Sequence, residues 1–514
     1  MNDLIKTVDL CVIGAAGGGM SAAVSAAQHG VKNILLLEKM KAPGGCTVMS
    51  AGMMGINTPV QRRFGQKFDV DEEYQKLMRL LNWRCDAKLV RKWLNGSGEN
   101  FEWLEDLGLE YNFCCTESAD LSRVKPTHNR TGHWDGEKWV MEMQGPKLVK
   151  CLREACARYG VEIMTGTRAR HLLTEDGRVT GVEAEGPDGP VTVHAKAVIL
   201  ATGSISSNKD LIRRFYCTDE YRDVHIMAEL PHNTGDGLIM AEEIGAAAGR
   251  IGTLFIGPHN HYPRASELVG MLMRRPQPIK VNQNGERFTN EAIPFEEEFG
   301  WMMSLSVDCQ PGKKSYTLMD QNYIDAVRAH TDFLPARYDT GCQIESPPSF
   351  GGPICPVEKG QDPATWRERI MEHLEYEQSR GNAKICQTLD EAAEFIGCAP
   401  AVLKDTVARY NTYCARGYDE EFLKGKQYLE PVTQPPYYVI LGRSGIDTCL
   451  GGLKIDNHQR VMDLEGHAIP GLYAAGVMCS GWFNDSYCYF GSEMSFTIYS
   501  GRTSGAEAAA YLQS

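Results

Sequence analysis

Near its start the chain carries an apolar run, Val8 to Ile13, broken only by Asp9, that passes into a glycine cluster and then into small residues, Met20-Ser21-Ala22-Ala23-Val24-Ser25-Ala26-Ala27. Such a run followed by a glycine turn predicts a buried strand, and the small side chains predict a helix lying close against it. Asn33 to Leu37 predicts the next strand and Ala197 to Ala201 another. Residues 71–112, rich in Trp and Leu, read as amphipathic helices. Residues 360–427 read as mainly helical with charged outer faces. Proline clusters at 346–356 and 431–436 mark loops. No internal repeat or low-complexity tract interrupts this order, and no apolar stretch reaches the roughly 20 residues that cross a bilayer. The pattern is that of an α/β fold.

Length and composition narrow the class. A chain of 514 residues with 43% hydrophobic and 23% charged side chains is globular and too long for one core, so two or more domains are expected. The formal charge of −13 gives no sequence-wide field for nucleic acid or an anionic membrane. The N-terminus carries no secretory signal pattern. The 17 cysteines are odd in number and contain no Cys-x-x-Cys, which points to reduced thiols and a cytoplasmic location.

The first strand leads into Gly14-Ala15-Ala16-Gly17-Gly18-Gly19 before the helix at Met20. Strand, glycine turn and helix in this order form a dinucleotide-binding unit: Gly14 permits the tight turn, Gly19 the close helix packing, and helix amides face a pyrophosphate. Ala16 stands where a second glycine is usual, and its methyl narrows the approach. Glu38 ends the second strand 19 residues beyond Gly19, where a carboxylate accepts from a ribose diol. The rival reading is a purely structural glycine turn.

Lys39-Met40-Lys41-Ala42-Pro43-Gly44-Gly45-Cys46-Thr47, with Ser50, Ala51 and Gly52, resembles the second flavin-contact loop of the fumarate reductase/succinate dehydrogenase flavoprotein family. Further matches follow in order: Thr202-Gly203 after the strand ending in Ala201, Asn208, Thr234-Gly235-Asp236-Gly237, Val281-Asn282 through Asn290-Glu291, Gly451-Gly452, and Ile469 to Gly476. The resemblance implies a Rossmann-like FAD-binding domain of two segments, 1–253 and 448–514, with an α+β capping domain, 254–447, inserted between them. It also implies a closing helix at Gly491, Ser492, Met494 and Ser495, whose amides stabilise charge on a reduced flavin. Members that hold FAD covalently use a histidine where this chain has Cys46, so a noncovalent FAD is expected, a cysteinyl link being the alternative. Val477 stands where the family often has an acid.

At the reacting end, the resemblance implies hydride exchange between flavin and one carbon of a C=C bond, with proton exchange at its neighbour. The family's proton-donating arginine falls at Arg274; the alternative is that Arg274 only orients substrate while Arg275 makes an ion pair. The residues that clamp a dicarboxylate in fumarate reductases become Thr448 and Tyr489, which removes a bidentate grip. Trp482, Phe483, Tyr487, Tyr489 and Phe490 cluster instead, either as core or as a flat apolar site whose phenols bind a carbonyl. Gly491-Ser492-Glu493-Met494-Ser495-Phe496 is similar to the equivalent helix start of 3-ketosteroid dehydrogenases, relatives in which tyrosines engage the substrate ketone. His259 and His261 lie where a substrate histidine is expected, and no third ligand supports a metal there. His232 reads as a loop histidine.

The expected enzyme reduces or forms a C=C bond conjugated to a carbonyl or carboxylate, in an enone or aromatic acrylate rather than fumarate. With no second dinucleotide fingerprint and no haem segment, its electrons come from or go to an external carrier. A flavin oxidase or monooxygenase and a non-catalytic flavin electron-transfer subunit are the rivals.

Overall fold

A computed structural model describes residues 4–50, 52–111, 113–114, 129–134, 139–142, 144–216, 232–259, 269, 272–273, 275–293, 302–329, 368–484 and 491–514. The first strand, β1 (Leu4–Ile13), runs into helix α1 (Gly17–Gln28) and then into β2 (Ile34–Leu37). A small antiparallel sheet follows, made of β3 (Phe113–Cys114), β4 (Asn129–Trp134) and β5 (Trp139–Glu142). Next come β6 (Glu162–Met164), β7 (Arg168–Glu175), β8 (Arg178–Gly186) and β9 (Gly189–Leu200). The chain returns to the same sheet near its end with β15 (Arg460–Met462) and β16 (Ala468–Ala474). Strand order is β15-β16-β9-β1-β2-β6, with β8 on β9 and β7 on β8. The β16, β9, β1, β2 and β6 contacts are parallel, which is the doubly wound order expected of a nucleotide fold.

Both faces of this sheet are buried, and the sequence shows why. Along β1, Leu10 and Val12 face one core with Ile34, Leu36, Ala197 and Ile199, while Cys11 and Ile13 face another with Leu35, Leu37, Val198 and Leu200. Unbroken apolar runs, rather than alternating ones, are what a two-faced parallel strand requires. On the first face α1 crosses the C-terminal helix Ser492–Gln513 almost backbone to backbone. A Cβ at Gly501 would stand 2.5 Å from the Gly18 carbonyl oxygen, and one at Gly505 2.2 Å from that of Ala22. The small-residue run after the glycines is therefore a packing surface. The Trp- and Leu-rich stretch forms helices Val70–Leu80 and Ala87–Leu107, the latter placing Trp93 in one core and Phe101 in the other.

Between the two contributions to the first sheet lies a second one. It contains β10 (Ala248–His259), β11 (Ile279–Val281), β12 (Lys314–Asp320), β13 (Ala383–Cys386) and β14 (Tyr437–Leu453), in the order β10-β14-β12-β11 with β13 also on β14. All its pairings are antiparallel. Helices Ile370–Ser379, Leu389–Ile396 and Pro400–Arg416 supply its partners, in the stretch read as mainly helical. The sheet reaches back to Ala248 and on to Leu453, so β10 and β14 run across the limits 254 and 447 drawn from sequence. Among the described residues no helix is long and apolar enough to cross a membrane.

Candidate flavin-binding site

A cavity of about 860 Å³, continuous with solvent, opens at the C-terminal ends of β1, β2 and β9. That is where open α/β sheets bind ligands. Gly14 and Ala16 from the first turn line it with Gly18 at the helix start. Gly14 has φ +105°, and a Cβ there would lie 2.3 Å from the Ala201 carbonyl oxygen, so the turn and the end of β9 fit only around glycine. Gly19 closes the packing below: a Cβ would stand 1.8 Å from the Gly14 oxygen. Ala16 departs from the glycine pattern without strain, since its φ is −94° in extended backbone. The helix it precedes has no side-chain cap, although Thr47 Oγ1 accepts from the Gly17 amide at 2.9 Å.

Glu38 lines the cavity with its carboxylate held from behind. The Ala15 amide donates to Oε2 and the Met40 amide to Oε1, both at 2.8 Å. Each carboxylate oxygen keeps a further lone pair with which to meet a ribose hydroxyl. Beside it Lys39 Nζ donates to Asp236 at 2.9 Å and to Thr234 Oγ1 at 2.8 Å, and Arg168 grips Asp236 through Nη2 and Nε at 2.7 and 3.0 Å. Burial pushes Asp236 up, but the bonds from Arg168, Thr234 and Lys39 overcome it and bring its pKa down to about 2. Asp236 is thus a fixed anion latching β2, β7 and the helix Asp236–Glu243 around one end of the cavity.

Gly45, Cys46 and Thr47 form another wall with His232 and Asn233. Asn233 Nδ2 donates to Cys46 Sγ at 3.1 Å, and His232 Nε2 lies 3.8 Å from the same sulfur. Burial first, and then the Lys39 charge, push His232 below its ordinary range. Ala201, Thr202, Gly203 and Gly476 complete the floor with Met494 and Thr497 of the C-terminal helix. Val477 also lines this wall, and so does Glu493, which brings a carboxylate to the region where Val477 offers none.

Several expected contacts stand behind the wall. Ala15, Gly19 and Met20 support the turn, and Met20 is wholly buried. Asn208 holds the neighbouring loop by donating to the Thr234 carbonyl at 3.0 Å. Gly52 is buried. Gly491, at φ +80°, precedes the C-terminal helix, and Ser495 accepts from the Trp93 indole at 3.0 Å. Trp482 is fully buried, stacked on Phe496 at 4.4 Å and edge-on to Trp93 at 5.6 Å. Its indole donates to the Cys479 carbonyl at 2.9 Å. Thr448 is buried on β14, and Arg275 is 2% exposed. Ala51, His261, Arg274, Tyr487 and Tyr489 lie outside the described residues, and His259 is described by its backbone alone, opposite Arg443.

Sequence reasoning missed Arg168, Thr167 and Asn233 as lining residues, and read His232 as the loop residue it is without giving it a place on the cavity wall. His232 did adjoin the Thr234-Gly235-Asp236-Gly237 motif, a usable signal. Arg168 offered none, since its partner is 68 positions away.

A family model described as an FAD binding domain matches residues 9–487. The chain belongs to that family. It is a flavoprotein oxidoreductase, as the sequence led us to expect. A vinyl phenol reductase of Lactiplantibacillus plantarum is 26% identical over 98% of this flavoprotein and 96% of its own length. Among solved structures, an open flavocytochrome c3 fumarate reductase superposes with a TM-score of 0.67 at 24% identity, covering 99% of this chain and 79% of the other. A 3-ketosteroid Δ4-(5α)-dehydrogenase from Rhodococcus jostii RHA1 does so with 0.70 at 21%, covering 99% and 98%. These two likenesses establish the fold. The residues present suit FAD: Gly14, Gly18, Gly45, Gly203 and Gly476 line the cavity with backbone alone, and the buried Ser492 hydroxyl at the C-terminal helix start has no hydrogen-bond partner among the described residues.

Proposed function

We propose that this flavoprotein reduces, or introduces, a C=C bond conjugated to a carbonyl or carboxylate, in a steroid-like enone or an aromatic acrylate rather than in fumarate. The observation that supports C=C reduction is the near full-length match, on both sides, to a vinyl phenol reductase within an FAD-binding family, and the conjugated carboxylate is supported by a urocanate reductase of Eggerthella lenta that is 26% identical over 99% of this chain. Thr448 supports the choice against fumarate. A buried neutral hydroxyl, 3.5 Å from the adjoining Cys449 carbonyl, has neither the charge nor the fork to hold a carboxylate.

Bound FAD supplies a ring that exchanges a hydride with carbon. The glycine turn and the first amides of α1 hold its pyrophosphate, Glu38 its ribose, and the Asp236 latch keeps that end closed. In the reducing direction the guanidinium of Arg274, or the hydroxyl of Tyr487 or Tyr489, gives a proton to the carbon beside the one receiving hydride. One hydride and one proton saturate the bond, and an external redox carrier, protein or small molecule, restores the electrons. The division into a flavin domain of two segments and a cap over 254–447 belongs to the same proposal, with substrate at their junction.

The test is anaerobic. Flavin reduced with dithionite is mixed in turn with enones, aromatic acrylates and fumarate, and the return of the oxidised spectrum is timed. Faster reoxidation by an enone or acrylate is expected; fumarate outpacing both overturns the substrate assignment.

A further inference from the structure

The cavity carries an acid at the end away from Glu38. Among the described lining residues, Glu38, Lys39, Arg168 and Asp236 gather at the ribose end, while the one remaining charged side chain, Glu493, belongs to the first turn of the helix Ser492–Gln513. That helix packs beside β16 and β9, on the far side of β1 from β2 and Glu38. Thr497, four residues on, fixes where Glu493 stands along the cofactor. A Cβ at Gly17 or Gly18 would lie 3.5 Å from Thr497 Cγ2, so Thr497 sits against the first turn of α1, where the pyrophosphate goes. The two helices run side by side in the same direction, Gly501 against Gly18 and Gly505 against Ala22. Residues four apart share a helix face, and helix side chains lean toward the N-terminus. Glu493 therefore stands a turn, about 5 Å, beyond the start of α1 and across the cavity from the ribose, on the side of the flavin ring.

At that place Glu493 acts against its own helix. Gly491 precedes the helix without a side-chain cap, and the first-turn amides give that end about half a positive charge. A full negative charge in the same turn outweighs it. The described lining residues around it, Gly476, Val477, Met494 and Thr497, carry no charge to offset the acid. Reduction leaves negative charge on the pyrimidine side of a flavin, and charge beside the ring tunes how readily that form is made. An acid on this wall makes the reduced form harder to reach and, once reached, a stronger hydride donor.

We propose that Glu493 sets the direction of the reaction: its carboxylate lowers the potential of the bound flavin, so that the protein gives a hydride to a C=C bond rather than taking one from the saturated product. This rests on the C=C chemistry proposed above. Glu493 itself gains and loses neither proton nor electron; it acts through its charge on the flavin.

Glu493→Gln and Glu493→Asp holoenzymes test it by redox titration and by sulfite binding, whose flavin adduct is likewise an anion, with FAD affinity of the apoproteins and thermal midpoint measured alongside. Glu493→Gln removes the charge and keeps the shape. It should bind sulfite at least about tenfold more tightly than wild type and show a potential at least about 30 mV higher, the same factor for a two-electron couple. Its reduced flavin should also be reoxidised more slowly by enones and acrylates, while Glu493→Asp, which keeps the charge, stays near wild type. A Glu493→Gln protein with the wild-type potential and sulfite affinity, or a Glu493→Asp protein shifted as far as Glu493→Gln, overturns the inference while leaving C=C reduction standing. Failure of every conjugated substrate to reoxidise wild type overturns both. A Glu493→Gln protein that melts lower or loses FAD assigns the acid a structural role and also overturns the inference.

Discussion

Replacing Asp236 by asparagine removes the anion that joins three elements around the cavity. In the wild type its two oxygens accept from Arg168 at 2.7 and 3.0 Å, Lys39 at 2.9 Å and Thr234 at 2.7 Å, with the side chain only 11% exposed. An asparagine keeps one acceptor and turns an NH2 group toward cationic donors. Lowering a carboxyl from 3.8 to about 2 is worth about 2.5 kcal/mol, at roughly 1.4 kcal/mol per decade of proton affinity. Because the folded-state pKa is depressed, that stability is fully present above pH 3.8 and is lost as pH falls from there toward 2. At roughly 2 °C per kcal/mol in a large domain, the variant should release its flavin about 5 °C earlier at pH 7. Flavin fluorescence during a thermal ramp reads this directly. Equal midpoints at pH 7, or a gap that does not narrow between pH 5 and pH 3, would refute the latch.

Three further outcomes are expected. Gly19→Ala sets a methyl 1.8 Å from the Gly14 oxygen, so the purified protein should be colourless and fail to bind FAD in a fluorescence titration; a yellow protein contradicts the packing described for the turn. Trp482→Ala empties a fully buried site and should cost about 3–5 kcal/mol of stability, read as a lower thermal midpoint, with the order of substrate preference unchanged. Acid precipitation of the holoprotein should leave all the flavin in the supernatant; flavin retained on the peptide containing Cys46 would establish a covalent link instead.

The nucleotide end was legible because backbone geometry constrains its residue types locally. Gly14 and Gly19 are each forced by a contact within the unit or with β9, and Glu38 is fixed by amides on either side of the turn. The altered second glycine misleads only slightly, since that position needs no positive φ. Long-range partners were not legible: Arg168 meets Asp236 through tertiary folding, and no spacing announces it. Trp482 shows a different limit. Burial and substrate contact select the same aromatic residue types, so the sequence does not announce the stacking on Phe496 or the edge-on contact with Trp93. Lys280 lay in plain view between Ile279 and Val281, yet the burial of its Nζ with no hydrogen-bond partner among the described residues is a property of the packed sheet.

The central claim is that the flavin held in this cavity passes its electrons to a conjugated C=C bond. Single-turnover product analysis tests it most directly: a known amount of reduced holoenzyme is mixed anaerobically with excess enone or aromatic acrylate, and the saturated product is quantified against flavin reoxidised. One equivalent of saturated product per flavin is predicted. Reoxidation without saturated product, or no reoxidation by any conjugated substrate, would contradict it.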